Sequence, residues 1–335
     1  MKALKILSLV MIAAGLIFAG CSKMSPVESN FLPDGGGAMG LAKKGVKASV
    51  WNVPGDFARI QEAIDSDDVK AGDRIIVGTG NHEGALLTKA VEIKGEDGAV
   101  IDRGPAHGSG LSQGFRILQG GSGATISHLQ FEVDLAIMNG AKVDNVNVLH
   151  NSFISSIQAV SNWEGNGWNI SHNVIKDLCT RNGGGIGIFI GCWSGATAND
   201  NVVSHNKVNG TLHVWEEDGG GYNGSGIVLY ADFRWGRSGA DEITRNRVFQ
   251  NNISLISDEP EVVDVAAFEL TDSRDDPNAD PFPVIFNNAI GFNNLRGTEL
   301  QIVLTPQDLD NPVNDISRNL GDNRGHGLHP KVFFK

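Results

Sequence analysis

Apolar and polar residues alternate in a short phrase that recurs along the chain. The phrase reads apolar-x-His-Asn-x-apolar, and residues 148–153 (VLHNSF) and 170–175 (ISHNVI) match it in full. The asparagines of these two copies, Asn151 and Asn173, are 22 positions apart. A period of two is typical of a β-strand, and self-similarity at a fixed interval indicates an architecture of stacked repeats.

Further copies of the phrase extend the repeat over most of the chain, at longer intervals. A unit of 22 residues is too short for two helices with their turns, but it matches one coil of a β-solenoid. Residues in excess of this length leave the coil as loops, as insertions do in repeat proteins. We align one asparagine of each coil as an equivalent corner position: Asn151, Asn173, Asn206, Asn246, Asn287 and Asn319.

The recurring Asn suits a corner between two strands. Its side chain tolerates the left-handed backbone conformation, and stacked amides can form a ladder along the solenoid axis. We therefore expect these asparagines to be structural. A row of histidines stands just before this corner position in four coils: His128, His150, His172 and His205. We expect their rings to form a stacked face. The alternative is a metal site, which needs ligands that converge on one point.

A second apolar strand follows the phrase in each coil, and an aromatic or charged loop leaves after it. If the coils stack in register, these loops emerge along one edge. Exposed indoles can stack on sugar rings, and guanidinium groups can bind hydroxyl or carboxylate groups. The alternative is that the indoles cover the coils and the charges are only solvated. The edge predicts a glycan-binding groove with four candidate substrate-binding residues: Trp163, Trp193, Trp235 and Arg237.

Four motifs open the domain in a recognisable order: IQEAI at 60–64, GDRIIV at 72–77, GNHE at 80–83 and VEIKG at 91–95. They resemble the first motifs of the pectate-lyase-like, right-handed parallel β-helix families. His82 departs from the family pattern, which usually has an aromatic residue there. The resemblance implies an all-β fold, a single-stranded right-handed parallel β-helix with a short N-terminal capping helix. It implies no particular activity, because fold does not determine function.

Uronate lyases of the family that this chain resembles use acidic Ca²⁺ ligands and a basic proton abstractor, and its glycosidases use carboxylate pairs. The polygalacturonase elements NTD and RIK are absent, and no nucleophile–base arrangement is recognisable. Carboxylate oxygens suit Ca²⁺, and the candidate Ca²⁺ ligands are Asp272, Asp275, Asp276 and Asp280. The candidate catalytic residues are Asp275, Asp276, Arg234 and Arg274, the arginines as stabilisers of a developing enolate.

The charge balance narrows the choice of partner. The formal net charge is −12, which argues against nucleic acid and disfavours a polyanionic glycan unless a cation bridges the two. Hydrophobic residues make up 41% of the chain, enough to fill a core, and the low aromatic content of 7% suits a narrow interior.

The N-terminal residues carry a targeting signal. Lys2 and Lys5 precede an apolar run at 6–18, which is too short to span a membrane comfortably, and small residues lead into Cys21. This pattern resembles a bacterial lipoprotein signal and implies lipidation of Cys21, with an outer-membrane location. We divide the chain into a signal peptide (1–20), a flexible tether (21–48) and a β-helix domain (49–335). Cys179 and Cys192 remain as either a disulfide or two thiols.

Three functional hypotheses follow. The first is a carbohydrate-active enzyme, a polysaccharide lyase or a glycoside hydrolase. The second is a lipid-anchored protein of the cell surface, with a glycan-binding, structural or adhesion role and no chemistry. The third is a periplasmic accessory β-helix of metal-cofactor maturation, which would use the His row.

Overall fold

The computed structural model describes residues 47–193, 195–215, 223–233, 242–273, 284–304 and 313–325. Nearly all regular structure in these residues is β-strand, and the strands form three long sheets in which every pairing is parallel. The chain visits the three sheets in turn and then returns one strand further along each of them. This is a right-handed parallel β-helix, so the fold class predicted from the sequence is confirmed.

Strands are numbered in chain order. The ten-stranded sheet contains β1 (Val50–Val53), β2 (Arg74–Val77), β5 (Glu92–Gly95), β8 (Thr125–Ser127), β11 (Asn147–Leu149), β14 (Asn169–Ser171), β17 (Val202–Ser204), β21 (Arg247–Phe249), β25 (Ala289–Gly291) and β27 (Asp315–Ser317). The seven-stranded sheet contains β3 (Gly80–Glu83), β6 (Ala99–Arg103), β9 (Gln130–Phe131), β12 (Ser152–Ser156), β15 (Val174–Cys179), β18 (Lys207–His213) and β22 (Asn252–Ser257).

The nine-stranded sheet contains β4 (Leu86–Leu87), β7 (Gln113–Ile117), β10 (Leu135–Asn139), β13 (Gln158–Trp163), β16 (Ile186–Trp193), β19 (Gly224–Asp232), β23 (Val265–Asp272), β26 (Leu300–Val303) and β28 (Arg324–Gly325). A small two-stranded sheet pairs β20 (Ile243–Thr244) with β24 (Ile285–Phe286). One α-helix, α1 (Ile60–Asp65), and one 3₁₀ turn (Gln119–Gly121) complete the described elements.

The core is a set of apolar rows that run along the solenoid axis. In the ten-stranded sheet, Ile93, Ile126, Val148 and Ile170 occupy one register position on successive coils, and all are fully buried. Each such side chain contributes about 1.5–3 kcal/mol when it leaves water. In the three-residue strands of this sheet, such as β8, β11 and β14, the central side chain points into the core and its two neighbours point outward. This arrangement explains the alternation of apolar and polar residues in the sequence.

Two asparagine ladders fix the corners of the ten-stranded sheet. In the first, each side-chain oxygen accepts hydrogen bonds from the backbone N–H and the amide of the Asn one coil earlier, at 2.9–3.2 Å, along Asn151, Asn173, Asn206, Asn251, Asn293 and Asn319. The second ladder lies at the other corner and is formed by Asn201, Asn246, Asn288 and Asn314.

The alignment made from the sequence is therefore wrong at two coils. Asn246 belongs to the second ladder, and Asn251 takes its place in the first. Asn287 belongs to neither: it is exposed, has a φ of 55°, and directly precedes the ladder residue Asn288. The physical reason is that both corners use the same pair, a left-handed residue followed by an inward Asn, so one local phrase fits either corner.

Helix α1 covers the first coil. Ile60, Ala63 and Ile64 are fully buried, and Phe57 packs beside them. Gln61 bonds the backbone of Leu86 on the edge strand β4: its side-chain oxygen accepts from the Leu86 N–H at 2.8 Å, and its amide donates to the Leu86 carbonyl at 3.5 Å. The helix thus protects an exposed sheet edge as well as the apolar end of the solenoid, as the sequence predicted.

The predicted signal peptide and lipidation site at Cys21, and all of the predicted tether except residues 47 and 48, lie outside the described residues. Within the described ranges, no helix has both the length and the apolarity needed to cross a bilayer.

Candidate functional site

From β8 onward, variation in length is concentrated at the two borders of the nine-stranded sheet. From β8 to β22, every passage from the ten-stranded to the seven-stranded sheet takes two residues, the second being the ladder position. Passages into the nine-stranded sheet range from Ile157 alone to residues 214–223, and passages out of it extend to residues 273–284. Because binding residues concentrate on variable connections held by a rigid scaffold, this sheet is the candidate site.

The outer face of this sheet carries an aromatic cluster, separate from the main core, formed by Trp163, Phe189 and Tyr230. The ring centroids are 4.5 Å apart for Trp163 and Phe189 and 6.0 Å apart for Phe189 and Tyr230. Gly191 pairs with both Trp163 and Tyr230, and a Cβ there would lie 2.3 Å from the Phe189 ring. The glycine therefore leaves the space that the Phe189 ring needs between its two neighbours.

The indoles differ in exposure from what the sequence predicted. Trp163 is only 3% exposed, so the expectation that its indole offers an open stacking face is wrong. The indole packs against Phe189 within the cluster. Trp193 packs on the edge of the same cluster and stays half-buried. Of the predicted substrate-binding tryptophans that are described, Trp193 is thus the one with surface available to a ligand.

One carboxylate lies beside Trp193, at the end of the strand on the next coil. Asp232 pairs in register with Trp193, is 2% exposed, and accepts a hydrogen bond from the Ser273 hydroxyl at 3.2 Å. Asp272, at the end of the following strand, pairs in register with the core residue Ala231, so it lies on the opposite face of the sheet and is half-buried. This border therefore combines an accessible indole with one acidic group.

Buried polar groups continue across the same face. The Ser225 hydroxyl donates to Glu269 at 2.7 Å, and the Ser161 hydroxyl donates to the side-chain oxygen of Gln158 at 2.5 Å. The amide nitrogen of Gln158 and both side-chain polar atoms of Gln113 are buried without a hydrogen-bond partner. Unpaired buried amides cost about 1–3 kcal/mol each, so this face holds hydrogen-bonding capacity that the described protein atoms do not use.

The remaining predicted site residues fall on segments outside the described ranges: Arg234, Trp235, Arg237, Arg274, Asp275, Asp276 and Asp280. Of the four predicted Ca²⁺ ligands only Asp272 is described, so that assignment stays a prediction. In the parts of the chain that the structure describes, no three His, Cys, Asp or Glu side chains are grouped so as to hold a metal ion.

The four histidines do form a row, but with stacked rings. Neighbouring centroids are 5.2, 4.9 and 4.7 Å apart along His128, His150, His172 and His205, and the last two rings are nearly parallel, at 3°. Stacked rings place equivalent nitrogens side by side instead of converging on one point, which disfavours the predicted alternative of a metal site.

The sequence reasoning missed Phe189, Tyr230, Asp232 and Glu269 as members of the site. A signal for three of them was present in the chain. In residues 186–193, Phe189 alternates with core or small residues, and in residues 224–232, Tyr230 and Asp232 do the same. Aligning these segments on their Ile residues would have placed the three side chains on the outer face, where strand alternation puts them.

No protein-family model matches the chain, and no curated protein matches it. Among solved structures, the catalytic domain of a GH87 α-1,3-glucanase in complex with nigerose aligns at 12% identity, covering 83% of this chain and 68% of its own, with a TM-score of 0.32.

Two further structures align at similar identity. The pectin methylesterase from carrot has 10% identity, 72% and 88% coverage and a TM-score of 0.21. The DFA-IIIase from Arthrobacter chlorophenolicus A6 in complex with GF2 has 14% identity, 83% and 93% coverage and a TM-score of 0.22. Likenesses at this level carry no argument about what this chain binds.

Proposed function

We propose that the protein binds a polysaccharide at the border of the nine-stranded sheet where β16, β19 and β23 end. The observation that carries this proposal is the half-buried Trp193, seated on a buried aromatic cluster beside Asp232. An indole held by packing offers a rigid stacking surface at low entropic cost. A carboxylate beside it can accept hydrogen bonds from sugar hydroxyl groups.

The test is binding of the mature chain to a panel of neutral and acidic polysaccharides. We expect Trp193→Ala to weaken binding about tenfold, since an aromatic contact is worth on the order of 1 kcal/mol beyond its area and about 1.4 kcal/mol is a factor of ten. Trp215→Ala is the matched control, because this indole is 42% exposed on the opposite border of the same sheet. If the chain binds no member of the panel, or if Trp193→Ala binds as well as the unmodified chain, the site is not at this border.

Cleavage of the bound glycan is a second candidate function, favoured by the Asp232 carboxylate in register with Trp193. Glycosidases use carboxyl groups as acid and as base or nucleophile. We expect Asp232→Asn to abolish release of reducing ends while leaving polysaccharide binding measurable. Ultraviolet absorbance of unsaturated products would indicate lyase chemistry instead. Binding without either product would identify a non-catalytic glycan-binding protein, the alternative made from the sequence.

We also propose that the protein is a cell-envelope lipoprotein anchored through Cys21, with the outer membrane as its location. The support is the basic start, short apolar run and small residues before Cys21. Metabolic labelling with a fatty acid should mark the unmodified chain and not Cys21→Ser. Equal labelling of both, or of neither, would contradict the anchor.

A further inference from the structure

The four stacked histidines stand on an exposed edge far from the nine-stranded sheet. They occupy the corner between the ten-stranded and seven-stranded sheets, one per coil, and each has a φ between 56° and 60°. All four are exposed. Because the following residue of each is an inward ladder position, the backbone that carries the rings is fixed. The result is a straight, rigid row of imidazole edges that repeats every 4.7–5.2 Å.

On the side of the ten-stranded sheet, no charged side chain lies beside this row over the same four coils. The outward positions of β8, β11, β14 and β17 are Thr125, Asn147, Asn169, Val202, Ser127, Leu149, Ser171 and Ser204. These side chains are small and partly bonded to each other, as in the 3.0 Å contact between the hydroxyl groups of Ser171 and Ser204. On the side of the seven-stranded sheet, the same coils carry three exposed charged residues, Glu132, Lys176 and Lys207. Protonation of the imidazoles therefore adds positive charge between an uncharged strip and a face that already carries two lysines.

On the side of the ten-stranded sheet, the charged groups near the row lie at its two ends. Partial burial of its ring lowers the pKa of His128, the neighbouring His150 and Lys94 lower it further, and Glu92 opposes them. Partial burial likewise lowers the pKa of His172, with added repulsion from His205 and His150. At the far end the Phe249 ring meets His205 edge-on at 5.9 Å, and Arg247 lies over Phe249. No carboxylate among the described residues forms an ion pair with a ring of the row.

We infer that this row is a binding surface for a linear acidic polysaccharide, one carrying a carboxylate on each sugar, and that it takes up this ligand in mildly acid solution. A line of imidazolium groups at regular spacing is complementary to a line of carboxylates. The partner supplies the counter-charges that the row itself lacks, so binding and protonation favour each other. At neutral pH the imidazolium charge is lost and the protein carries a net charge of −12, so the same polymer is repelled.

This surface is separate from the border that holds Trp193, so the two proposals stand or fall independently. A neutral polysaccharide would use the border and ignore the His row. An acidic one would use the row, and only below about pH 6, where imidazoles charge.

The experiment measures affinity for polygalacturonate between about pH 5 and pH 8 at low ionic strength, with dextran as the uncharged polymer. By linkage, we expect the affinity to rise about tenfold for each unit by which the pH is lowered, per proton taken up on binding. Added salt should weaken binding. Dextran affinity should show neither dependence. Polygalacturonate binding that is absent at about pH 5, or that is independent of pH, would overturn the inference.

Three variants separate the row from other charges. His150→Asn with His172→Asn should reduce the pH dependence without unfolding the coil, because Asn tolerates the left-handed conformation. Gln250 occupies the next position of the row, with a φ of 56°, so Gln250→His should extend the row and strengthen binding at about pH 5. His213→Asn removes an exposed histidine outside the row and should have no effect. If the double variant binds like the unmodified chain, or if Gln250→His binds no better than the unmodified chain at about pH 5, the row is not the site.

Discussion

The backbone N–H and the side-chain amide of Asn151 both donate to the side-chain oxygen of Asn173, at 2.9 and 3.2 Å. Asn173 in turn donates to the Val148 carbonyl at 2.8 Å and to the side-chain oxygen of Asn206 at 3.0 Å. One fully buried amide therefore satisfies groups on two neighbouring coils. This connectivity makes the ladder a continuous hydrogen-bonded spine, in which any single Asn is supported from both sides.

Removing one amide should be costly. Asn173→Ala removes the acceptor of the Asn151 N–H and the side-chain donor to the Val148 carbonyl, whereas the Asn151 amide keeps the Ile126 carbonyl and the Asn206 oxygen keeps the Asn173 backbone N–H. At about 1–3 kcal/mol for an unsatisfied buried group, we expect a loss of about 3 kcal/mol or more in the free energy of unfolding, measured by urea denaturation. Asn147→Ala is the control: this residue is half-buried on the outer face and has one long contact, 3.3 Å, to Thr125. Equal losses in the two variants would show that the ladder contributes little.

Close approach of the coils demands glycine at the start of β16. A Cβ at Gly187 would lie 2.4 Å from the Gly226 carbonyl oxygen and 3.1 Å from Val208. Because the first of these atoms is backbone, the coils must separate to admit a methyl group, and overpacking of this kind costs about 1–3 kcal/mol. We expect Gly187→Ala to lower the midpoint of thermal unfolding. Gly108→Ala, where no atom lies within 4 Å, should leave the midpoint unchanged.

Acid should weaken the fold through the His row. The pKa of His128 and of His172 is lowered in the folded state, first by burial and then by neighbouring rings. The unfolded chain then binds more protons than the folded chain as the pH falls through about 6.5. Stability is therefore full above that pH, declines below it, and levels off once the folded rings also charge. Urea titrations at several pH values should show a shallower decline for His172→Asn; an unchanged decline would place the acid sensitivity elsewhere.

Asp73 ties the first coil together. It accepts hydrogen bonds from the Ser49 N–H at 2.8 Å, the Lys70 N–H at 2.9 Å and the Trp51 indole at 3.1 Å. Burial opposes its charge, but these donors outweigh burial and hold the pKa of Asp73 below its ordinary value. Its contribution is present above about pH 4 and is lost as the pH falls through the folded pKa.

We expect Asp73→Asn to destabilise the protein by about 1–3 kcal/mol at neutral pH, because the amide replaces an acceptor with a donor. The variant should also lose part of the stability change seen below about pH 4. Denaturation curves of both proteins at neutral and strongly acid pH test this, and an equal difference at the two pH values would contradict it.

Much of the fold could be predicted because its signals are local. The alternating phrase around Asn151 and Asn173 gave the strand period and the coil length, and the IQEAI segment gave the capping helix, both as found. The register of later coils could not be read in the same way. Ile243 to Val248 and Val248 to Ile253 both fit the phrase, one at each corner, and only the pairing of Val203 with Val248 decides between them.

The site was harder to predict than the fold. The strands β16 and β19 end in register, and β13 and β23 end within two residues of their neighbours, so the connections after them begin close together, as the sequence indicated. Exposure could not be predicted, because hydrophobicity alone does not say whether an indole covers a neighbour or faces water. Trp163 packs under Phe189 only because Gly191 leaves room for that ring.

The passage formed by His172 and Asn173, and its equivalents from β8 to β22, always has two residues. One added residue there would turn every later side chain of that strand to the opposite face. The passages that border the nine-stranded sheet, in contrast, already span one to twelve residues. The molecule therefore offers a scaffold on which recognition loops can be exchanged by grafting at the borders of the nine-stranded sheet. The asparagine ladder at the opposite corner keeps the strand register of each coil fixed.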